Sequence, residues 1–492
     1  MNSPVLPRYQ QIAAALAAQL DNGDYPPGSR LPAVRQLASA HGVNNLTALA
    51  AYRLLEQQQR VEARPRAGFF AATPAGTLPP RGSDPALPLP STAALVDLNS
   101  RMSTLLLLAD DRIPLQLHMA EAAPVLYPST ELARRLQQTL ARQPELIGAH
   151  LPGNTQRRLT AALQQLAQQR GMALHADDIL PCHGITEAIS LALRHLTRPG
   201  DTVAVETPVY FGLLQTLQGL GLQALEIPCT AEAGLSLEAL EFALRHDPSV
   251  KCLVCVPNFQ NPTGGLMPDD SKRALLQLAR RHGITIVEDD VFGDLYYGSE
   301  RPTPIKAWDR AGDVIYCSSF TKSYAPSFRL GWFSGGRHHA ALARLQASST
   351  LTVSPLLQAV LAEVLESGDY QRTSQRIRQQ LAAQMHATAD AVLRHFPKGT
   401  RVRKPQGGML LWVECPDGSD TTQLLQQALP AGISFAPGLV FAAGPRFGHC
   451  LRLSCGQPFT PALEAALATL GRLLAQQLAH HKDVPSASFP PR

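Results

Sequence analysis

Apolar positions recur at helical spacing in the first part of this chain and gather into short continuous runs further on. That contrast divides it. Between Tyr9 and Leu20, Ile12, Ala13, Leu16 and Leu20 fall on one face of a helix. Asn22-Gly23-Asp24 and Pro26-Pro27-Gly28 interrupt the pattern. Leu31-Pro32-Ala33-Val34-Arg35-Gln36-Leu37-Ala38 opens a second short helix, with Pro32 suited to a first turn that has no use for its N–H. After His41-Gly42-Val43 the spacing predicts a third helix from about Asn45 to Gln58, with Leu46, Leu49, Ala50 and Leu54 turned inward. Val61 to Phe70 then fits a hairpin.

Residues 73–96 are Pro-rich and lack periodicity, as a semi-extended linker does. Met102 to Leu108 reads as a short helix leading into a larger domain. From about Ile113, strand-like runs alternate with amphipathic helices, the pattern of an α/β sheet covered by helices. Val203-Ala204-Val205-Glu206, Cys252 to Val256 and Ile284 to Glu288 stand out as strands. A smaller C-terminal lobe begins near Lys404. The expected division is therefore 1–72, a small helical and hairpin domain; 73–110, linker and short helix; and 111–492, a large α/β domain with a smaller α+β lobe. The tail after Lys482 reads as loose.

Composition narrows this only a little. A chain of 492 residues suits two or three domains, and 45% apolar content suffices for a large core. The net charge of +5 allows an anionic partner without demanding one. No run of 18 apolar residues and no basic-then-apolar N-terminus appears, so a soluble, cytoplasmic protein without a membrane partner is expected. Cys252 and Cys255 form a C-x-x-C, but inside an apolar run and with no second pair. They read as buried thiols, and no metal site is expected.

Residues 1–72 carry seven Arg, no Lys and four acids. Helix, Gly-containing turn, helix and basic hairpin is the layout of a winged helix-turn-helix, although surface arginines on a small helical domain would give the same charge.

In the large domain, ligands of open α/β sheets bind beyond the carboxyl ends of strands. Cys182-His183-Gly184-Ile185-Thr186 follows a strand and opens a helix, where freed amides suit a phosphate; no G-x-G-x-x-G is present. Ser319-Phe320-Thr321-Lys322 sets one lysine among hydroxyls, with Arg329 seven positions on. A lysine beside a dianion site suits Schiff-base chemistry with an aldehyde cofactor. By spacing alone it is equally an ordinary loop lysine. The other six, Lys251, Lys272, Lys306, Lys398, Lys404 and Lys482, have charged, Pro-rich or tail surroundings and read as solvated.

The stretch from Ser319 to Gly331 resembles the Ser-Phe-Ser-Lys…Arg-Leu-Gly signature of fold-type I aminotransferases, which use pyridoxal 5'-phosphate (PLP). That resemblance implies that Lys322 is the catalytic lysine bonded to PLP, and that Ser319, Thr321 and Arg329 hold its phosphate with Gly184, Ile185 and Thr186. It implies further that Tyr210 stacks on the pyridine ring and that Asn261, in Asn261-Pro262-Thr263-Gly264, bonds the phenolic oxygen. Asp289 would face the pyridinium nitrogen, and Arg452, in Arg452-Leu453-Ser454, would clamp a substrate α-carboxylate. Taken singly, these are also a strand-end tyrosine, an ordinary turn and a strand arginine. Two stretches depart from the pattern. Phe292 stands where a tyrosine is usual, which weighs against efficient transamination. Ala149 to Asn154 lacks the usual tyrosine, so no site residue is assigned there.

Residues 1–72 resemble the GntR-type winged helices through Leu31-Pro32…Arg35…Leu37-Ala38 and Gly68. Arg35, Asn44, Asn45, Thr47 and the wing residues Arg64 and Arg66 are then the expected DNA contacts. Where an arginine is usual the chain has Asn44-Asn45-Leu46-Thr47, and asparagine pairs with adenine.

Both halves, in this order, resemble the MocR subfamily of GntR-type regulators. This implies a homodimeric, DNA-binding regulator of a double-stranded operator that holds PLP and senses PLP or an amino compound through aldimine formation at Lys322. A working aminotransferase with an accessory DNA-binding domain is the competing reading, and a scaffold with a lapsed PLP site is another.

Overall fold

The computed structural model describes residues 7–21, 24–25, 28–57, 60–64, 68–71, 93–96, 113–149 and 153–483. The chain forms two compact units, residues 1–84 and 85–492. The expected short helix at Met102–Leu108 and the tail beyond Asp483 lie outside the described residues.

In the first unit α1 (Arg8–Asp21), α2 (Val34–Ala40) and α3 (Asn45–Gln57) precede a hairpin of β1 (Val61–Arg64) and β2 (Gly68–Ala71). Val61 lies opposite Ala71 and Arg64 opposite Gly68. Ile12, Ala13 and Leu16 of α1 meet Ala48, Ala51, Tyr52 and Leu55 of α3 in the core. Leu46, expected to face inward from periodicity, is instead 76% exposed. The buried stripe is Ala48-Ala51-Tyr52-Leu55. Two alanines let α1 approach closely, and Tyr52 fills the centre. Its ring stacks on Phe69 of the wing at 4.2 Å between centroids, and its hydroxyl donates to the Pro32 carbonyl at 2.5 Å. Weighting the stripe by leucine size therefore misplaces it.

The second unit contains β3 (Ala94–Leu95), β4 (Leu115–Gln116), β5 (Ile179–Cys182), β6 (Thr202–Thr207), β7 (Gln223–Thr230), β8 (Gly234–Leu235), β9 (Val250–Cys255), β10 (Thr285–Asp289), β11 (Val314–Ser319) and β12 (Gly331–Ser334). The main sheet runs β3-β7-β6-β9-β10-β11-β12-β5. Strands β7, β6, β9, β10 and β11 are mutually parallel, and β12 is antiparallel to both its neighbours. Ala94–Leu95, within the stretch read as linker, is an edge strand on β7. The three strands read from sequence are β6, β9 and β10, side by side at the sheet's centre. Burial on both faces is what makes them continuous apolar runs.

A smaller lobe completes the unit: β13 (Arg401–Val402), β14 (Leu410–Glu414), β15 (Ile433–Ser434), β16 (Ala436–Pro437) and β17 (Cys450–Ser454). Four of these form the sheet β13-β14-β17-β16, while β15 pairs with β4. The helices Asp369–His395 and Pro461–Asp483 cover it with Met385, Val392, Leu467 and Leu470.

Two of the lysines read as solvated are buried. Lys272 has a side chain 0% exposed and donates to the Thr303 carbonyl at 2.8 Å. Lys306 donates to Asp309 at 2.9 Å and to the Val314 carbonyl at 2.7 Å. Local composition cannot reveal this, because a carboxylate three residues away and a distant carbonyl together replace the water shell. Cys252 and Cys255 are buried in β9 as free thiols.

Candidate functional site

Five strand ends converge on one edge of the main sheet. Gly184 follows β5, Tyr210 follows β6, Asn261 follows β9, Asp289 ends β10 and Ser319 ends β11. Pairing register places Ser319 beside Gly331, and Gly331 beside Cys182. The lysine loop thus lies against the Gly184 turn. A Cβ at Gly331 would stand 2.9 Å from the Gly184 Cα and 2.7 Å from the Ser318 carbonyl oxygen, so this approach needs a glycine. Gly184 itself has φ 82° and precedes the helix Ile185–Leu196, leaving that helix's first amides free. Arg329 curls back over it: its Nη2 would lie 3.4 Å from a Gly184 Cβ. Ser319 and Thr321 hydroxyls are buried 2.7 Å apart, and Thr321 N–H donates to Ser319 Oγ at 3.1 Å. Ile185 is half-buried and Thr186 exposed at the helix start.

Lys322 is half-buried, and that burial pulls its ammonium below the usual lysine range, against the opposing pull of Glu121. Asp289 accepts from the Val291 N–H at 3.1 Å and has no ion-pair partner among the described residues. Burial, reinforced by neighbouring Asp290, pushes it up to about 7. Tyr210 stands just before the helix Phe211–Gly219, with its ring 4.9 Å from that of Phe211. Burial raises its hydroxyl, Arg452 lowers it and Asp289 raises it, which sets it among the site's charges.

Arg452, on β17, is 1% exposed. Nη1 donates to Asn261 Oδ1 at 3.0 Å, Nη2 donates to the His118 carbonyl, and the guanidinium sits 5.1 Å from the Phe441 ring centre. Nε is buried and has no hydrogen-bond partner among the described residues. Burial lowers its pKa to about 10. With Asn261 Oδ1 occupied, the amide of that side chain is left to donate. Phe292 lies in an apolar cluster with Tyr127, Phe259 and Met409. A phenol reaches Lys322 from elsewhere: Tyr127 donates to the Lys322 carbonyl at 3.3 Å.

Sequence reasoning missed a buried ionic network behind these residues. Arg301 bridges Asp290 and Asp294, and Arg170 pairs with Asp294. Tyr316 donates to Asp290 at 2.6 Å, and Asn258 donates to it at 2.9 Å. Tyr370 bonds Asp294 and lies 3.1 Å from the hydroxyl of Ser323, the residue after Lys322. The network therefore joins the lysine loop to the end of β10. Its one sequence signal is the row of acids Asp289, Asp290 and Asp294 just past an apolar strand; Arg170 and Arg301 give none.

Residues 124–468 match the aminotransferase class I and II family, and residues 8–71 match the bacterial regulatory proteins of the gntR family. The HTH-type transcriptional regulator YdcR of Escherichia coli is 35% identical over 96% of this chain and 100% of its own length. The chain is a MocR-like GntR-family regulator. The rhizopine catabolism regulatory protein MocR of Rhizobium meliloti is 27% identical over 88% of this chain and 86% of its own. Among solved structures, the kynurenine aminotransferase of Pyrococcus horikoshii superposes with a TM-score of 0.70 at 29% identity, covering 77% of this chain and 94% of that one.

As a GntR-family regulator it binds DNA, and the start of α3 (Asn45–Gln57) carries several of the residues expected to contact it. Asn44 caps that helix: its Oδ1 accepts from both the N–H and the hydroxyl of Thr47 at 2.8 Å. Asn44 is thereby committed to the helix end, whereas Asn45 and Arg35 are exposed. Arg64 lies in β1, and its side chain, like Arg66, falls outside the described residues.

PLP is the cofactor of the aminotransferase fold, and the residues here fit it. Asp289, a carboxyl raised by burial and without a cationic partner among the described residues, suits a pyridinium. The hydroxyl pair, the Gly184 turn and Arg329 suit a phosphate, and Lys322 is an amine made less basic by burial. Among the described residues no helix is long and apolar enough to cross a membrane.

Proposed function

We propose that this regulator binds PLP through Lys322 and responds to an amino compound whose carboxylate is taken by Arg452. PLP, when bound, supplies an aldehyde for the Lys322 amine and a ring that draws electrons from whatever amine it holds. Asp289 would hold the ring nitrogen protonated, Asn261 would donate to the phenolic oxygen, and Tyr210 would cover the ring face. Ser319, Thr321, Arg329 and the Gly184–Thr186 turn would hold the phosphate. Lys322 accepts or returns a proton at its amine once displaced.

The observation that carries the reading is Arg452: a buried guanidinium with an unpartnered Nε, beside the Asn261 loop. A buried cation of that kind calls for an anion, and the planar fork matches a carboxylate. The proposed assembly is a homodimer in the cytoplasm that presents two winged helices to two half-sites of an operator, a reading supported by the symmetry common to such regulators. Arg35, Asn45, Thr47, Arg64 and Arg66 are the proposed DNA contacts, with Asn44 holding the helix start.

The enzyme reading draws on the same set, since Lys322, Asp289, Asn261 and Arg452 are all present. Phe292, apolar and buried, favours the sensor. Two measurements on one sample separate them: operator affinity with and without an amino acid, and conversion of the cofactor to its amine form in a single turnover. A sensor changes operator affinity and turns over slowly. Rapid multiple turnover with an oxo acid and unchanged operator affinity would establish the enzyme.

A further inference from the structure

The segment from His118 to Ala123 ties the two ends of the pocket together. The His118 carbonyl accepts from Arg452, Ser454 Oγ donates to the Glu121 carbonyl at 3.4 Å, and the Ala123 N–H donates to the Gly456 carbonyl at 2.8 Å. A Cβ at Gly456 would fall 2.1 Å from the Glu121 carbonyl oxygen, so the two backbones are in close contact. The strand that places Arg452 therefore also places Glu121. From there the carboxylate crosses to the lysine loop, with Oε1 3.5 Å from Lys322 Nζ. The Tyr127 and Tyr210 hydroxyls both feel its charge.

A pocket that takes a phosphate and a carboxylate gains nothing from a further anion in holding them. In the free protein Glu121 balances Lys322. With PLP bound the Lys322 amine would be taken up by the aldehyde, and once displaced it would return as an amine made less basic by burial, so Glu121 would be left without its ammonium partner beside a ligand held by Arg452. Its side chain remains 45% exposed, so it is open to such a ligand. Of the other charges facing this space, Arg329 and Arg452 are assigned to phosphate and carboxylate, and Asp289 to the ring nitrogen.

We propose that Glu121 sets the charge of the ligand: an α-amino acid with a second cationic group, its carboxylate on Arg452 and its side-chain cation drawn to Glu121, while dicarboxylic amino acids are turned away. This rests on the reading of the large unit as a sensor of amino compounds. An ion pair to a partly exposed carboxylate, screened on its open side, gives discrimination on the order of tenfold over a neutral isostere.

The test titrates the full-length, PLP-loaded protein with L-ornithine, L-norleucine and L-glutamate, following the cofactor's absorbance. Ornithine should bind at least about tenfold tighter than norleucine, and glutamate weakest. Glu121→Gln should bring the three within about threefold of each other while the cofactor stays bound. Norleucine or glutamate binding as tightly as ornithine overturns the proposal, as does an ordering unchanged in Glu121→Gln. If that variant loses PLP, the wild-type ordering alone decides. Should no amino acid of any charge bind, the sensor reading falls too, so the two failures are told apart.

Discussion

Arg452 Nη1 donates to the side-chain oxygen of Asn261 at 3.0 Å, joining the smaller lobe's β17 to the loop after β9 in the large one. The group proposed to take a ligand's carboxylate thus also orients the group proposed to face the cofactor. Arg452→Ala should weaken amino-acid binding by about 2–4 kcal/mol, because it removes a buried charged partner. It should leave PLP in place with a changed absorbance, since Asn261 loses its orienting donor. Arg452→Lys should restore little, as one ammonium cannot replace a planar fork. Spectral titration of the three proteins distinguishes these outcomes.

Purified protein given PLP should be yellow, and borohydride reduction followed by peptide mapping should label Lys322. Lys322→Ala should abolish the label. Modification at Lys272 or Lys306 instead would refute the assignment. Both are buried on hydrogen bonds to carbonyls, so neither is expected to react.

The acidity of Asp289 gives a pH dependence with a definite sign. Burial raises it to about 7 in the cofactor-free protein, against roughly 3.9 when unfolded. The folded state then holds a proton that the unfolded state lacks, so stability from this group is complete below about pH 4 and is lost as pH rises towards 7. Glu206, also pushed up to about 7 by burial, adds a slope of the same sign. Pairing with a pyridinium removes the Asp289 share. The rise in Tm on adding PLP should therefore grow between pH 5 and 8, and Asp289→Asn should flatten it. A PLP-induced shift independent of pH would count against Asp289 as the ring's partner.

Operator binding should weaken steeply with salt, because arginines displace counterions from phosphates. Arg35→Ala should lower affinity for every sequence alike and reduce the salt slope by about one. Asn45→Ala should instead relax the base preference at one position, at a cost of about 1–3 kcal/mol there. Binding-site selection with each variant reads the difference. Equal operator affinity in residues 73–492 alone would place DNA binding elsewhere.

Tyr52 holds the wing to the helices through its ring and hydroxyl. Tyr52→Phe should cost about 1–2 kcal/mol, leaving the Pro32 carbonyl short of a donor, and Tyr52→Ala about 3–5 kcal/mol through the cavity. Thermal unfolding of the winged unit, followed with operator affinity, checks both.

By itself the sequence determined the winged helices, the central strands β6, β9 and β10, and which residues stand just past the strand ends. These are local signals: period, a glycine at a turn, a polar residue just past an apolar run. Tertiary structure decided what no local window contains. Leu46 is exposed because alanines and Tyr52 claim the inner face of α3, a matter of which helix packs there. Lys272 and Lys306 can be buried because carbonyls 31 and 8 residues away accept hydrogen bonds from their ammonium groups. Glu121 joins the pocket only because its backbone lies against Gly456, far along the chain. Arg170 meets Asp294 across 124 residues, since hydrogen bonds and ion pairs depend on distance in space and carry no trace in spacing along the chain.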